Sequence, residues 1–471
     1  TLFGQIVYGH DGEQAGVDVV CREALELCSQ VGTAGIYEPS VSIGVVYLAV
    51  FVFEDIHGFH ADFDVTVCIR CHVCDMDGDV CGRNFVGGRK NILEGDHNIL
   101  VGFVGVVGLV DGHIGHCTIP VVAKGDYVLA GQLIAEAGGF VSANIHSSVS
   151  GTVKAIEPRT LATGGKCNSI IIENDGEFKE VEYTPKKLEE LSKEEVLQRI
   201  KDAGVVGMGG AGFPTNVKYS PKNPEGIDYI IVNGAECEPY LTSDYRRLLE
   251  ESDKIVLGLK VALSIFDHAK GIIGIEDNKP EAIKVMQAAV ASEPDIEVKV
   301  LKTKYPQGGE RSLIYATTGR SINSTMLPAD AGCIVHNVDT IYSIYMAVIE
   351  GKPLTKRIVT VTGDGVKEPG NFYVWLGMNY RQLLEAVGGV VGEPEKYISG
   401  GPMMGFAMYS LDVPVIKGSS SLLVFQNDVV SKLEETACIR CGRCGEGCPS
   451  HLLPAKLASF AAKNDEAGFV K

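Results

Sequence analysis

The 471-residue chain has no run of lysine and arginine, and its formal charge at neutral pH is -18. Phosphate backbones are held by clustered cations, so this balance argues against nucleic acid as a partner. Long apolar stretches are missing too. The longest, Val41 to Phe53 and Ile99 to Val110, stop short of the roughly 20 residues that cross a bilayer. No transmembrane segment is expected, and any membrane association must come through a partner. The first residues lack a basic start, an apolar segment and a small-residue cleavage site in that order, which gives secretion no support. No Ser/His/Asp or Cys/His catalytic set is apparent. Lysine is almost absent early on: Lys90 is the only one before Lys124. Residues 1–112 are instead dense in Val, Gly, Asp, His and Cys, without a helical period or a turn-and-strand alternation, and no fold is assigned to them.

What is present reads as globular. Hydrophobic residues make up 45% and charged residues 22%, a balance that supports folded cores, and this length predicts several domains. The 14 cysteines, in a long chain without a secretion signal, read as metal or redox ligands rather than disulfides.

From about His113 short β-type runs surround glycine turns: Lys124 to Val128, Gly131 to Glu136 and Val149 to Val153. They resemble the barrel-sandwich hybrid of biotinyl and lipoyl domains. Those carriers present a lysine at a hairpin tip, where this sequence reads Asn144-Ile145-His146-Ser147, so a structural module is expected rather than a swinging arm. Between Leu188 and Glu350 helical and strand patterns alternate, as in an α/β domain with a largely parallel sheet. Tyr229 to Val232 reads as a buried strand, Tyr245 to Phe266 as one helix with Leu248, Ile255, Leu259 and Leu263 on its apolar face, and Gly271 to Ile275 as the next strand. From Arg357 to about Phe425 a smaller β-rich unit with one helix, Tyr380 to Ala386, looks like a β-grasp module, with Tyr373 and Trp375 filling its core. His146 and His268 read as surface or packing residues rather than ligands.

The strongest motif is Cys438-x2-Cys441-x2-Cys444-x3-Cys448-Pro449. This is the bacterial ferredoxin spacing, in which three thiolates serve one [4Fe-4S] cluster and the fourth is directed to a second. Zinc ribbons use two separated CxxC pairs instead. No cysteine follows Cys448, so the second cluster is incomplete here and a truncated chain is expected. Cys68-x2-Cys71-x2-Cys74-x6-Cys81 echoes the motif with the wrong last spacing and no proline, and reads as non-ligating.

The second motif is Gly207-Met208-Gly209-Gly210-Ala211-Gly212-Phe213-Pro214-Thr215. Closely spaced glycines let backbone N–H groups approach a phosphate or a flavin edge. A helix precedes the loop, which departs from the dinucleotide-binding fingerprint that follows a strand. Three polar loops come after it: Asn233 to Pro239 beyond a strand, Gln307 to Arg311, and His336 to Thr340. Each alone suits a cap or a turn as well as a site.

These segments, in this order and followed by the cysteine-rich tail, resemble the flavin subunit of respiratory NADH dehydrogenase and, more closely, the C subunit of the Rnf ion-translocating electron-transport complex. The resemblance covers about His113 to Lys471. It implies a multi-domain α/β fold: a carrier-like barrel-sandwich module over 113–185, a flavin- and nucleotide-binding α/β domain over 186–355, a β-grasp module of the soluble-ligand-binding type over 356–428, and a helical ferredoxin-type segment over 429–471. Residues 1–112 resemble nothing in the family, and a misassigned reading frame or fusion is the expectation for them. The resemblance further implies that Gly207, Gly209, Gly210, Gly212 and Lys218 hold FMN, that Asn233, Glu236 and Asn337 contact the flavin or its ribityl chain, that Phe213 and Glu238 face the nicotinamide of NADH, and that Glu310 lines the same cleft. Ala235 stands where the respiratory relatives carry an acidic residue, and Arg311 where they carry a second glutamate. The implied role is an oxidoreductase subunit passing electrons between NAD(H) and ferredoxin, peripheral to the cytoplasmic face of the membrane and held there by other Rnf subunits. A soluble flavin and iron–sulfur reductase of cobalamin is the closest rival, and a docking scaffold without flavin the third reading.

Overall fold

The computed structural model describes residues 118–323, 325–434, 436–448 and 451–470, with short strands before residue 118. The chain divides into two compact units. One comprises Val86–Gly401 with Ala407–Gln426, and the other Thr1–Phe85, Pro402–Phe406 and Asn427–Lys471.

The larger unit begins with two small sheets. β1 (Ile119–Pro120), β3 (Leu133–Glu136) and β4 (Ile145–His146) form one, in the order β4-β3-β1. In the other, β2 (Tyr127–Val128) and β6 (Lys166–Asn174) flank β5 (Gly151–Thr160), and strand Asn98–Gly102 adds to β6. Val128, Ile134, Ile145, Val149, Val153, Ile170 and Ile172 fill the space between them. Gly151 is required here, because a Cβ would lie 2.0 Å from the Glu173 carbonyl.

Next comes the α/β domain. Its strands β7 (Tyr229–Gly234), β8 (Lys270–Glu276), β9 (Ile296–Leu301) and β10 (Cys333–Asn337) are all parallel, in the spatial order β9-β8-β7-β10. A parallel sheet is covered on both faces, so its strands read as continuous apolar runs. Ile230, Val232, Ile273 and Ile275 accordingly point into one core, and Ile231, Ile272 and Val335 into the other. The covering helices are α1 (Lys193–Asp202), α2 (Thr215–Lys218), α3 (Ser243–Glu250), α4 (Ser252–Leu263), α5 (Pro280–Ala289), α6 (Glu310–Thr318) and α7 (Val338–Val348). α1 starts at a reciprocal cap, Ser192 accepting from Glu195 N–H and Glu195 from Ser192 N–H.

A mixed sheet completes this unit. β11 (Lys356–Thr362) pairs antiparallel with β12 (Gly370–Trp375) and parallel with β14 (Ser421–Phe425), while β13 (Lys396–Ser399) pairs antiparallel with β14. Helix α8 (Tyr380–Ala386), opened by the Asn379–Gln382 capping box, lies in the same core through Tyr380, Leu383 and Leu384. In the other unit, strand Val65–Arg70 lies between Leu2–Ile6 and Tyr47–Val52. Its tail carries α9 (Arg443–Glu446), α10 (Pro454–Ala461) and α11 (Glu466–Val470).

Three expectations are corrected. The single helix over Tyr245–Phe266 is two, broken at Glu251 (φ -132°, ψ 30°). The break lets Arg247 face Asp339 while Ile255, Leu259 and Ala262 stay on the core. Asn144 to Ser147, expected in a structural module rather than a swinging arm, is held in the fold: His146 and Ser147 are buried, and Lys417 Nζ donates to the Asn144 carbonyl at 2.7 Å. Trp375 does fill the core of the mixed sheet, but Tyr373 is half-buried and its hydroxyl meets Arg247. Strand β7 also runs two residues further than expected, so Asn233 lies within it. Of the first cysteine cluster, Cys71 and Cys81 lie outside the described residues.

Candidate functional site

Strand order reverses between β7 and β10, because the chain moves outward through β8 and β9 and then returns to the far side of β7. Crevices at the carboxyl ends of strands at such a reversal are where open α/β sheets bind ligands. Asn233 and Asn337 occupy those ends and are direct partners in register. The glycine-rich loop lies against them: a Cβ on Gly209 would stand 2.8 Å from the Asn337 Cβ, so any larger residue there displaces one or the other. The loop is closed at its neck by Gly207 N–H donating to the Phe213 carbonyl at 2.9 Å and by pairing of Val206 with Pro214. Gly209, Gly210 and Ala211 are exposed, and the space where a Gly210 Cβ would stand is open. Gly212 needs its positive φ of 69° to bring Phe213 back to the neck.

The other expected residues gather around the same strand ends. Lys218, on α2, donates to the Val335 carbonyl at 2.6 Å and lies 3.3 Å from Glu310, the first residue of α6. Asn233 Nδ2 donates to the Gly308 carbonyl at 2.8 Å, tying the loop before α6 to β7. Asn337 caps α7 by accepting from Asp339 N–H at 2.8 Å and donates its amide to Asp244 at 2.6 Å. Glu236 turns both carboxylate oxygens to the Asp244 and Tyr245 amides and so closes the start of α3. Glu238 rests on Gly401, where a Cβ would come within 1.9 Å of its Cγ. Glu236 and Tyr240 are held at positive φ (47° and 70°), a conformation that side chains rarely adopt and that needs surrounding structure to enforce it.

Electrostatics set this region apart. Burial and the neighbouring Asp244 raise the Glu236 carboxyl, and burial and Asp339 raise that of Asp244, so the pair favours holding protons. Burial lifts the Cys237 thiol to about 11, leaving its sulfur as a neutral acceptor for Gly308 N–H at 3.3 Å. His336, buried against the Tyr219 ring at 4.9 Å, is driven well below its usual range by burial and stays neutral. Both of its ring nitrogens, with Thr215 Oγ1 and Gln307 Oε1, are buried polar atoms without a hydrogen-bond partner among the described residues.

Several residues of this region carry no mark in the sequence. Arg247 is buried, donates to Asp339 at 2.6 and 2.9 Å, and lies over the Tyr342 ring at 3.7 Å. Asp244, Thr340, Arg357 and Lys417 complete the set. Their partners are distant in sequence, so no local spacing marks them; only Asp339 and Thr340 fall within one of the polar loops.

In the other unit the tail cysteines range from exposed Cys441 through half-buried Cys438 to buried Cys444 and Cys448. Arg440 (φ 58°) and Gly442 (φ 78°) turn the chain tightly between them. Backbone N–H groups reach two sulfurs at 3.4 Å, from Arg440 to Cys438 and from Leu452 to Cys448. Among the described residues no three His, Cys, Asp or Glu side chains are gathered in metal-binding geometry.

A parallel sheet with an exposed glycine-rich loop near its switch point suits nucleotide binding in an α/β domain. Family models sharpen that class: one described as the Nuo51 FMN-binding domain matches residues 200–346, the RnfC barrel sandwich hybrid domain matches 105–177, and the SLBB domain matches 358–407. Among curated proteins, the C subunit of the proton-translocating ferredoxin:NAD(+) oxidoreductase complex of Clostridium ljungdahlii is 48% identical over 75% of this chain and 77% of its own length. The Na(+)-translocating counterpart of Acetobacterium woodii is 42% identical over 75% and 80%, and the C subunit of the ion-translocating oxidoreductase complex of Pectobacterium atrosepticum 40% identical over 72% and 49%. The chain belongs to this family, the C subunits of ion-translocating oxidoreductase complexes. A solved NAD+-reducing [NiFe]-hydrogenase in the air-oxidised state shares 21% identity at a TM-score of 0.46, covering 58% of this chain and 54% of that one, a likeness too low to carry an argument.

Proposed function

We propose that this chain is the nucleotide-side component of a membrane-bound complex that couples electron transfer between ferredoxin and NAD(+) to ion translocation, working through FMN and [4Fe-4S] clusters. The observation that carries the reading is the pairing of Asn233 with Asn337 at the switch point, next to an exposed glycine-rich loop, inside the segment that matches the FMN-binding family model. The residues fit the group. The space above Gly210 is open, Gly209 has no room for a side chain, and Lys218, at the Val335 carbonyl, places a cation near the same strand ends.

Bound FMN would supply the exchange between paired electrons from a nicotinamide and single electrons for iron–sulfur centres. The chain's part is binding and alignment. Gly207, Gly209, Gly210 and Gly212 let main-chain N–H groups approach, and Lys218 brings a cation that Glu310 and the Val335 carbonyl hold in place. Asn233 and Asn337 form the floor, which Glu236 braces through the start of α3. Phe213, which is exposed, and Glu238, packed against Gly401, are the residues assigned to the nicotinamide. Cys438, Cys441, Cys444 and Cys448 carry the ferredoxin spacing that would serve a cluster, with backbone N–H groups of Arg440 and Leu452 on two of the sulfurs, although the described side chains are not gathered around one point. No helix among the described residues is long and apolar enough to cross a membrane, so other subunits would hold the chain there. The names of its relatives favour this reading over a cobalamin reductase.

The test is an anaerobic absorbance spectrum of purified protein with flavin and iron analysis, followed by titration with NADH. Bleaching of a flavin band together with a broad cluster band is the expected result. Iron without flavin, or no response to NADH, would sink the flavin assignment.

A further inference from the structure

The glycine-rich loop is held from beneath by a residue of another module. Arg357, in β11, is buried, and its guanidinium donates to the Lys417 carbonyl and, at 3.4 Å, to the carbonyl of Met208 in the loop. One of its nitrogens stands 3.9 Å from Asp339 Oδ2, a carboxylate that it shares with Arg247. The Met208 amide donates to Thr340 Oγ1 at 2.9 Å, and the Met208 side chain is packed with Ala143, Val206, Leu354 and Leu376. A second buried cation repeats the pattern: Lys417 Nζ donates to the Gly204 carbonyl at 2.6 Å and to Asn144.

The consequence follows from peptide geometry. Carbonyl and N–H of one trans peptide unit point in opposite directions. With the Met208 carbonyl drawn inward by Arg357, the next N–H, that of Gly209, is turned outward to the open side of the loop. We infer that Arg357 is a positioning residue of the flavin site: it never touches the flavin, and it fixes the peptide whose amide does. The module of the mixed sheet is thereby part of the binding site rather than only a docking unit. This inference rests on the FMN reading proposed above.

The test compares flavin-free wild-type protein with Arg357→Met and Arg357→Lys in three measurements: the FMN dissociation constant by fluorescence, amide hydrogen exchange of the peptide spanning 207–212, and the thermal midpoint. Losing a hydrogen bond from a charged donor should weaken FMN binding about tenfold in Arg357→Met, with faster exchange in the loop. Arg357→Lys keeps a charge opposite Asp339 but cannot reach all three acceptors at once, and should fall in between. A folded variant that binds FMN as wild type does, or one whose thermal midpoint falls while FMN affinity and loop exchange stay unchanged, overturns the inference. If Arg357→Met does not fold, Arg357→Lys decides by the same criteria. Wild-type protein that binds no FMN refutes the flavin reading instead, and loop exchange then still judges whether Arg357 orders the loop.

Discussion

At the scale of single residues, burial decides behaviour more than identity does. His146 was expected at the surface or in packing rather than as a ligand, and it packs, but at the cost of its charge: burial, with Lys417 nearby, holds its imidazole down at about 3. The unfolded chain takes a proton on this ring near its ordinary value of about 6.5, whereas the folded chain stays neutral until about pH 3. Between those values the unfolded state binds more protons, so this residue lowers stability as pH falls, by at most about 1.4 kcal/mol per unit. Urea unfolding at pH 7 and pH 5 should show wild type losing roughly 2 kcal/mol more than His146→Gln over that interval. Equal losses in both proteins would show that the ring titrates normally. The raised carboxyls of Glu236 and Asp244 act in the opposite sense, their protonated forms being favoured in the fold, so only the difference between the two proteins isolates the histidine.

At the scale of elements, the site depends on where strands stop and helices start. Asn337 ends β10, caps α7 and anchors Asp244, and the sequence announced only the cap, since Asn before a helix is a local signal. Asn337→Ala should cost about 1 kcal/mol of stability through the lost cap. It should also release Asp244 and the start of α3, so that the expected FMN affinity falls further than in a variant of an unrelated cap such as Ser192→Ala. Equal effects on FMN binding would show that Asn337 serves α7 alone. β10 reads in sequence only as a polar loop before a helix, whereas the apolar runs of β7 and β8 and the helix α8 were legible because they are written locally. The break at Glu251 was not, because the side chains that need it, Arg247 and Asp339, face each other across 92 positions of sequence.

At the scale of the whole chain, glycine turns, strand spacing and the cysteine motif suggested the modules, and family models of a barrel sandwich hybrid, an FMN-binding domain and an SLBB domain match residues 105–177, 200–346 and 358–407, the first of them starting ahead of the expected 113. The cations that join modules were not legible. Arg357 and Lys417 look like surface residues in sequence, and only the fold shows that each is buried against carbonyls of another module. The strand pairing that sets Asn233 beside Asn337 also has a kinetic consequence. β7 and β10 are neighbours in space, but two strands and four helices intervene along the chain, and closing so long a loop is slow compared with forming helices. Competence to capture flavin should therefore be among the last properties a refolding chain regains. After dilution from denaturant, far-ultraviolet circular dichroism should recover before FMN fluorescence is quenched. Simultaneous recovery would mean that the parallel sheet is already assembled when the helices appear. With that order, and on the flavin site proposed above, uptake of flavin doubles as a check on assembly, since a chain that has not closed its central sheet lacks the pairing of Asn233 with Asn337.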